Sequence, residues 1–126
     1  MTSPFLERPA GDHVADNELA FAIRDGFPVS PGHTLVITRR LVTHWFEATP
    51  EEQAAVMALV NTVKAQLDDS HYPDGYNVGF NAGEAAGQTV PHLHMHVVPR
   101  YRGDRPDPRG GVRWVLPEKA DHWTRR

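Results

Sequence analysis

Residues 92–98 read His92-Leu93-His94-Met95-His96-Val97-Val98, and this heptapeptide decides how the rest of the chain is read. Side chains alternate across a β-strand. The spacing therefore predicts a strand with three imidazoles on one face and Leu93, Met95 and Val97 on the other. Successive imidazoles then start about 6.6 Å apart along the strand. The apolar row needs a core beneath it, and that core pins the register of the histidine row opposite.

Working backwards, residues 82–91 form a Gly-rich loop, and 75–81 (GYNVGFN) alternates Tyr76, Val78 and Phe80 with Asn77, Gly79 and Asn81 as a second strand. A helix is predicted over 50–68. Thr49 would be its N-cap, Pro50 its first residue and Glu52 the partner in a capping box, with Val56, Val60, Val63 and Leu67 as an apolar stripe. Segments 18–25 (ELAFAIRD) and 33–39 (HTLVITR) read as strands joined into a hairpin by Pro28-Val29-Ser30-Pro31-Gly32. Residues 1–17 read as an arm. Beyond 99 the chain is rich in Pro, Gly and Arg, and is expected to wrap the surface with a short extended piece near Val112, Trp114 and Leu116. The expectation is one α+β domain over 1–126, a mainly antiparallel sheet of about five strands with one long helix on one face.

Composition narrows the function. The chain has 126 residues, 40% hydrophobic and 23% charged, which suits a soluble globular protein. Cysteine is absent, which excludes disulfides, a thiolate nucleophile, Cys-ligated zinc and iron–sulfur clusters. No apolar run has signal-peptide or bilayer length, so a cytoplasmic location without a membrane partner is expected. The net charge of −3 argues against duplex nucleic acid as a partner. That charge divides into −7 over residues 1–99 and +4 over 100–126. Arg109 and Arg113 in the basic tail could therefore reach the distal phosphates of an anionic ligand; the alternative is a solvated tail.

The chain holds eight histidines. Three readings of the aligned row are open. It could be a polar strand face in solvent. It could be a metal site, since His-x-His on a strand can place two nitrogens on one ion, although no HExxH-like spacing accompanies it. It could carry a nucleophilic imidazole: with the Nδ1 proton of the middle ring taken by the backbone, its Nε2 lone pair is free to attack phosphorus. His13, His44, His71 and His122 have no motif around them and read as incidental. Core packing is the plainer reading for Phe5, Leu19 and Phe21.

Residues 92–98 resemble the signature of the histidine triad (HIT) family at every position. Gly87-Gln88-Thr89-Val90-Pro91 ahead of them, Asn81 seven residues before Gln88, and Pro31-Gly32-His33-Thr34-Leu35-Val36 resemble the family's flanking segments, so the resemblance runs over about residues 12–101. It implies a nucleotide hydrolase that cleaves at the α-phosphate through a nucleotidyl-histidine intermediate. His94 would be the nucleophile and His96 would hold the α-phosphate. His92 would orient His94 through its carbonyl, and His33 would polarise the triad from behind. Asn81, Gln88 and Thr89 would donate to phosphate oxygens or the leaving group, and Asp25 would accept from ribose hydroxyls. The resemblance further implies no resident cofactor or metal, Mg²⁺ arriving only on a polyphosphate substrate, and a homodimer. Val97-Val98-Pro99-Arg100 and Arg102-Gly103-Asp104 resemble the dinucleoside-polyphosphate hydrolase branch. Asn81 resembles the phosphoramidase branch, and His96 departs from the Gln usual in the uridylyltransferase branch. The rival expectations are a non-catalytic nucleotide-binding regulatory module and a His-ligated metalloprotein.

Overall fold

A computed structural model describes residues 2–124. It places the histidine stretch on an inner strand of an antiparallel sheet. The strands are β1 (His13–Asp16), β2 (Ala20–Arg24), β3 (Thr34–Thr38), β4 (Gly75–Gly79) and β5 (His94–Arg100), in the order β1-β2-β3-β5-β4. One long helix, α1 (Pro50–His71), crosses one face, and a short helix, α2 (Pro117–Ala120), lies near the C-terminus. The expected α+β architecture of five strands and one long helix is the one observed.

Cross-strand partners share a face, so the register sorts the sheet into two sides. Ala22 pairs with Val36 and Val36 with Met95; with Ala20 and Val97 they pack on Val56, Leu59, Val60, Val63 and Leu67 of α1. On the other side Phe21 pairs with Ile37 and Ile23 with Leu35, and these two β3 residues face His94 and His96 respectively. The bulkier apolar row thus forms the floor beside the histidines, with Phe5 packed against it.

The helix begins as the sequence reads. Thr49 Oγ1 accepts the Glu52 amide hydrogen at 3.1 Å, and Glu52 Oε1 accepts that of Thr49 at 2.9 Å. The buried Glu52 carboxylate is also paired with Arg40 at 2.7 and 3.0 Å, the condition for burying a charge. Thr49→Ala removes the cap and is expected to cost about 1 kcal/mol, read as a lower urea midpoint at unchanged slope. At the hairpin turn Gly32 has φ +90°, and a Cβ there would stand 2.8 Å from Leu67 Cδ2, so glycine is needed both for the turn and for seating the end of α1.

Three local expectations are corrected. Part of the 1–17 arm is strand β1, four residues with none fully buried and an irregular register between His13 and Ala15. So short a piece has no alternation of its own to read; pairing to β2 makes it a strand. The piece near Val112, Trp114 and Leu116 is not extended: Gly111–Val115 is a 3₁₀ turn running into α2, where Pro117 occupies the first helical position. His92 stands outside β5, because the His92 amide turns back to Val90 O at 2.8 Å and the ladder starts only at His94.

Candidate functional site

The exposed-face pattern of β5 gives His94 and His96 a half-buried position, while Met95 and Val97 are buried on the helix side. Rings of His94 and His96 lie 5.1 Å apart between centroids. The hydrogen bonds around these rings assign their protons. His94 Nδ1 lies 2.7 Å from the His92 carbonyl oxygen. A carbonyl only accepts, so Nδ1 carries the hydrogen and Nε2 of neutral His94 is a bare lone pair.

His33, buried just ahead of β3, sets the next proton. Its Nδ1 accepts the Val29 amide hydrogen at 3.2 Å, so the proton of the neutral ring is on Nε2. Nε2 stands 2.9 Å from His96 Nδ1 and 3.4 Å from Asp25 Oδ2. His33 therefore donates to His96 Nδ1, and the proton of neutral His96 lies on its Nε2. The two strand histidines are thus opposite in kind: His94 presents a lone pair at Nε2 and His96 presents an N–H there.

The environment keeps the surrounding rings neutral. Burial lowers the pKa of His33 against the opposing pull of Asp25. Burial likewise lowers that of His92, and pushes His96 down to about 4 with help from His94 and His33. His92 is fully buried; its Nε2–H donates to Thr38 O at 2.7 Å, and its Nδ1 faces Ser3 Oγ at 2.6 Å. Phe5 from the same arm packs on His94, ring centroids 4.9 Å apart. Ser3 is a site neighbour that sequence reading left unmarked in the arm, and Phe5, read there as a packing residue, is another; the alternation of a strand carries no signal for residues nearly ninety positions away.

The remaining residues differ in what they offer. Asp25 Oδ1 accepts the Phe27 amide hydrogen at 2.8 Å, and Oδ2 faces His33. Asn81 is exposed, two residues past Gly79, the last residue of β4, which pairs with His96. Thr89 is also exposed. Gln88 is tied inside the loop: Nε2 donates to Thr43 O and Val90 O at 2.6 and 3.0 Å, and Oε1 accepts the Gly83 amide hydrogen at 2.9 Å. A cavity of about 380 Å³ lies farther along β5, lined by Val98, Asn77, Arg100, Ser30 and Pro31 among others.

Arg109 and Arg113 are engaged within the tail. Arg109 is paired with Asp107 at 2.9 Å and lies over Trp123, and Arg113 donates to the carbonyls of Lys119 and Ala120 at 2.7 and 2.8 Å. His44 caps a short turn by accepting from Phe46 N, and His13 stacks on Phe21 at 4.5 Å, in keeping with structural roles.

Among the described residues, ligand atoms of Asp25, His33 and His96 converge within 4.8 Å of one another, a spacing that could suit a metal ion. With Val29 N–H aimed at His33 Nδ1, the Nε2 atom that would ligate is the one that must carry the hydrogen.

The chain matches the HIT domain over residues 9–103. It is 43% identical over 88 residues to a 16.1 kDa HIT-like protein of Mycoplasma pneumoniae, covering 70% of this chain and 61% of that one. It is 37% identical over 107 residues to the AP-4-A phosphorylase of Mycobacterium tuberculosis, covering 80% and 55%. The chain thus spans between half and two thirds of the length of these curated relatives. A crystal structure of a HIT-family member from Bacillus subtilis superposes with a TM-score of 0.75 at 32% identity, covering 82% of this chain and 77% of that one. With the histidine row, its buried fourth histidine and the sheet that carries them in place, the chain belongs to the HIT family.

Proposed function

We propose that the chain is a nucleotidyl hydrolase acting at the α-phosphate of a dinucleoside polyphosphate, with His94 as the nucleophile. The observation that carries this is the pair of opposite tautomers: a lone pair at His94 Nε2 beside an N–H at His96 Nε2. In the first step His94 Nε2 bonds to the α-phosphorus, the bond to the leaving oxygen breaks, and the leaving group departs with the electron pair. The nucleotidyl-imidazole keeps its Nδ1–H, and the His92 carbonyl faces the positive charge that develops there. In the second step water attacks the phosphorus, the phosphorus–nitrogen bond breaks with its pair returning to His94 Nε2, and the proton lost by the water passes to solvent. His96 Nε2–H holds a non-bridging oxygen throughout.

Asp25 is assigned the ribose hydroxyls, and Asn81 and Thr89 the phosphate oxygens or the leaving group. Gln88, its amide engaged, acts by shaping the loop. Val97-Val98-Pro99-Arg100 and the likeness to a relative named AP-4-A phosphorylase support the polyphosphate substrate. Asn81 supports a second reading, a nucleoside phosphoramidate cleaved by the same attack, its nitrogen taking a proton from solvent and leaving as the amine. We place the protein in the cytoplasm, where no resident metal is needed; no described helix is long and apolar enough to cross a membrane. We also assign a homodimer, since β4 lies at the sheet's edge with backbone groups a second copy could pair.

The test compares kcat/KM for ApppA, AppppA and AMP-lysine on the purified chain, with Mg²⁺ controlled. AppppA is expected to be turned over with AMP among the products, and prior chelation of the protein to leave the rate unchanged. Turnover of none of the three contradicts the reading.

A further inference from the structure

Ser3 is buried between two exposed neighbours, Thr2 and Pro4, at 6% exposure. What it is buried against is His92. Because His92 Nε2 faces a carbonyl, its hydrogen is there and Nδ1 is bare. The 2.6 Å contact is therefore Ser3 Oγ–H donating to His92 Nδ1, while Ser3 Oγ itself accepts the Leu6 amide hydrogen at 3.3 Å. Both ring nitrogens of His92 are engaged, Nε2 by the Thr38 carbonyl with the Arg40 backbone also acting on the ring and Nδ1 by Ser3, so the ring is clamped from both ends.

The clamp matters because of where His92 sits. It precedes the β5 ladder, so no strand partner holds its carbonyl. That carbonyl is held from two other directions: by the next amide, Leu93 N, donating to Val42 O at 2.8 Å, and by the anchored ring. The same carbonyl takes the Nδ1 hydrogen of His94 and so decides which His94 nitrogen is bare.

We propose that Ser3 is a positioning residue for the reaction: its hydroxyl locks the His92 ring, and through the His92 carbonyl it holds His94 with Nε2 free. The inference rests on the reading of His94 as nucleophile. The N-terminal arm is then part of the catalytic apparatus, with Phe5 closing on the His94 ring from the same segment. Without the hydroxyl, His92 Nδ1 is a buried acceptor with no partner and the ring leaves its place. The Leu93–Val42 bond remains, so the effect is graded rather than total.

The experiment is Ser3→Ala on the full chain, with AppppA kinetics well below the melting temperature and ¹⁵N imidazole spectra of both proteins at neutral pH. Expected are a fall of about tenfold in kcat with KM within twofold, and a change of the His94 signals from a single Nδ1–H tautomer to a mixture. A displaced reacting group costs this kind of factor without changing substrate binding. A merely structural serine would lower the melting temperature and leave kcat and the His94 signals alone, and that result overturns the proposal. So does a fall in kcat with an unchanged His94 tautomer. If the unsubstituted chain turns over no substrate, the hydrolase reading fails; the spectra then decide for Ser3 alone, a mixture supporting the clamp and an unchanged tautomer overturning it.

Discussion

His94→Ala is expected to lower AppppA turnover on the order of 10³-fold or more while the fold survives. The size follows from the role. Removing a group that forms the covalent bond closes the two-step route and leaves only the binding and charge stabilisation supplied by the other groups, His96 Nε2–H foremost. Survival of the fold follows from position. His94 is half-buried on the face away from α1, and among the described residues its side chain makes one hydrogen bond, to His92 O. Losing that bond and the packing on Phe5 is expected to cost about 1–2 kcal/mol, well within what a domain of this size withstands. The check is steady-state kcat alongside circular dichroism of the variant; retention of more than a tenth of the rate goes against the assignment.

Acidification is expected to remove a large share of the stability before the carboxylates titrate. His33, His92 and His96 are held neutral in the fold, with pKa values below the ordinary imidazole value of about 6.5, and that of His96 is about 4. Unfolding exposes the rings, so between those values the unfolded chain binds more protons than the folded one. Their contribution is therefore complete above about pH 6.5 and lost as the pH falls toward 4. For His96 alone it amounts to about 3 kcal/mol at most, and because His33 and His96 share a proton the three do not simply add. The groups facing His33 and His96 are Asp25 and His94: Asp25 opposes the shift and His94 reinforces it. The lowered carboxylates of Glu52, Asp68, Asp104 and Asp107 lose their contribution only below about pH 4.5, so the range from pH 7.5 to 4.5 reads the imidazoles. Urea midpoints at pH 7.5, 6.0 and 4.5 should fall in that order. A constant midpoint over the range contradicts neutral burial of the three rings.

The parts of the fold legible in the sequence are those where one short-range rule decides. Thr49, Pro50 and Glu52 announce a helix start by hydrogen bonds confined to four residues, and Val56, Val60, Val63 and Leu67 announce its buried face. Met95 and Val97 alternate with His94 and His96 because the pleat demands it. The rest depends on distant partners. His92 continues the alternation in sequence, yet a turn at Val90 ends the ladder before it, and its ring is claimed by Thr38 and Ser3. Strand β1 exists because β2 offers it an edge. Gln88 carries the residue type of a phosphate donor, but its neighbours Gly83, Thr43 and Val90 take its amide. Arg109 and Arg113 read as free cations until the tail folds onto them. Residue type and spacing bring the four histidines to one place; only the hydrogen-bond partners say which nitrogen of each is bare.

The central claim is that His94 Nε2 becomes bonded to phosphorus. It is tested most directly by mixing the chain with AppppA, quenching within the first turnover under conditions that preserve phosphorus–nitrogen bonds, and mapping the labelled peptide by mass spectrometry. The account predicts an AMP-sized adduct on His94, absent from His94→Ala and lost as AMP on mild acid treatment. An adduct on another residue, or first-turnover AMP release with no adduct at any quench time, would contradict it.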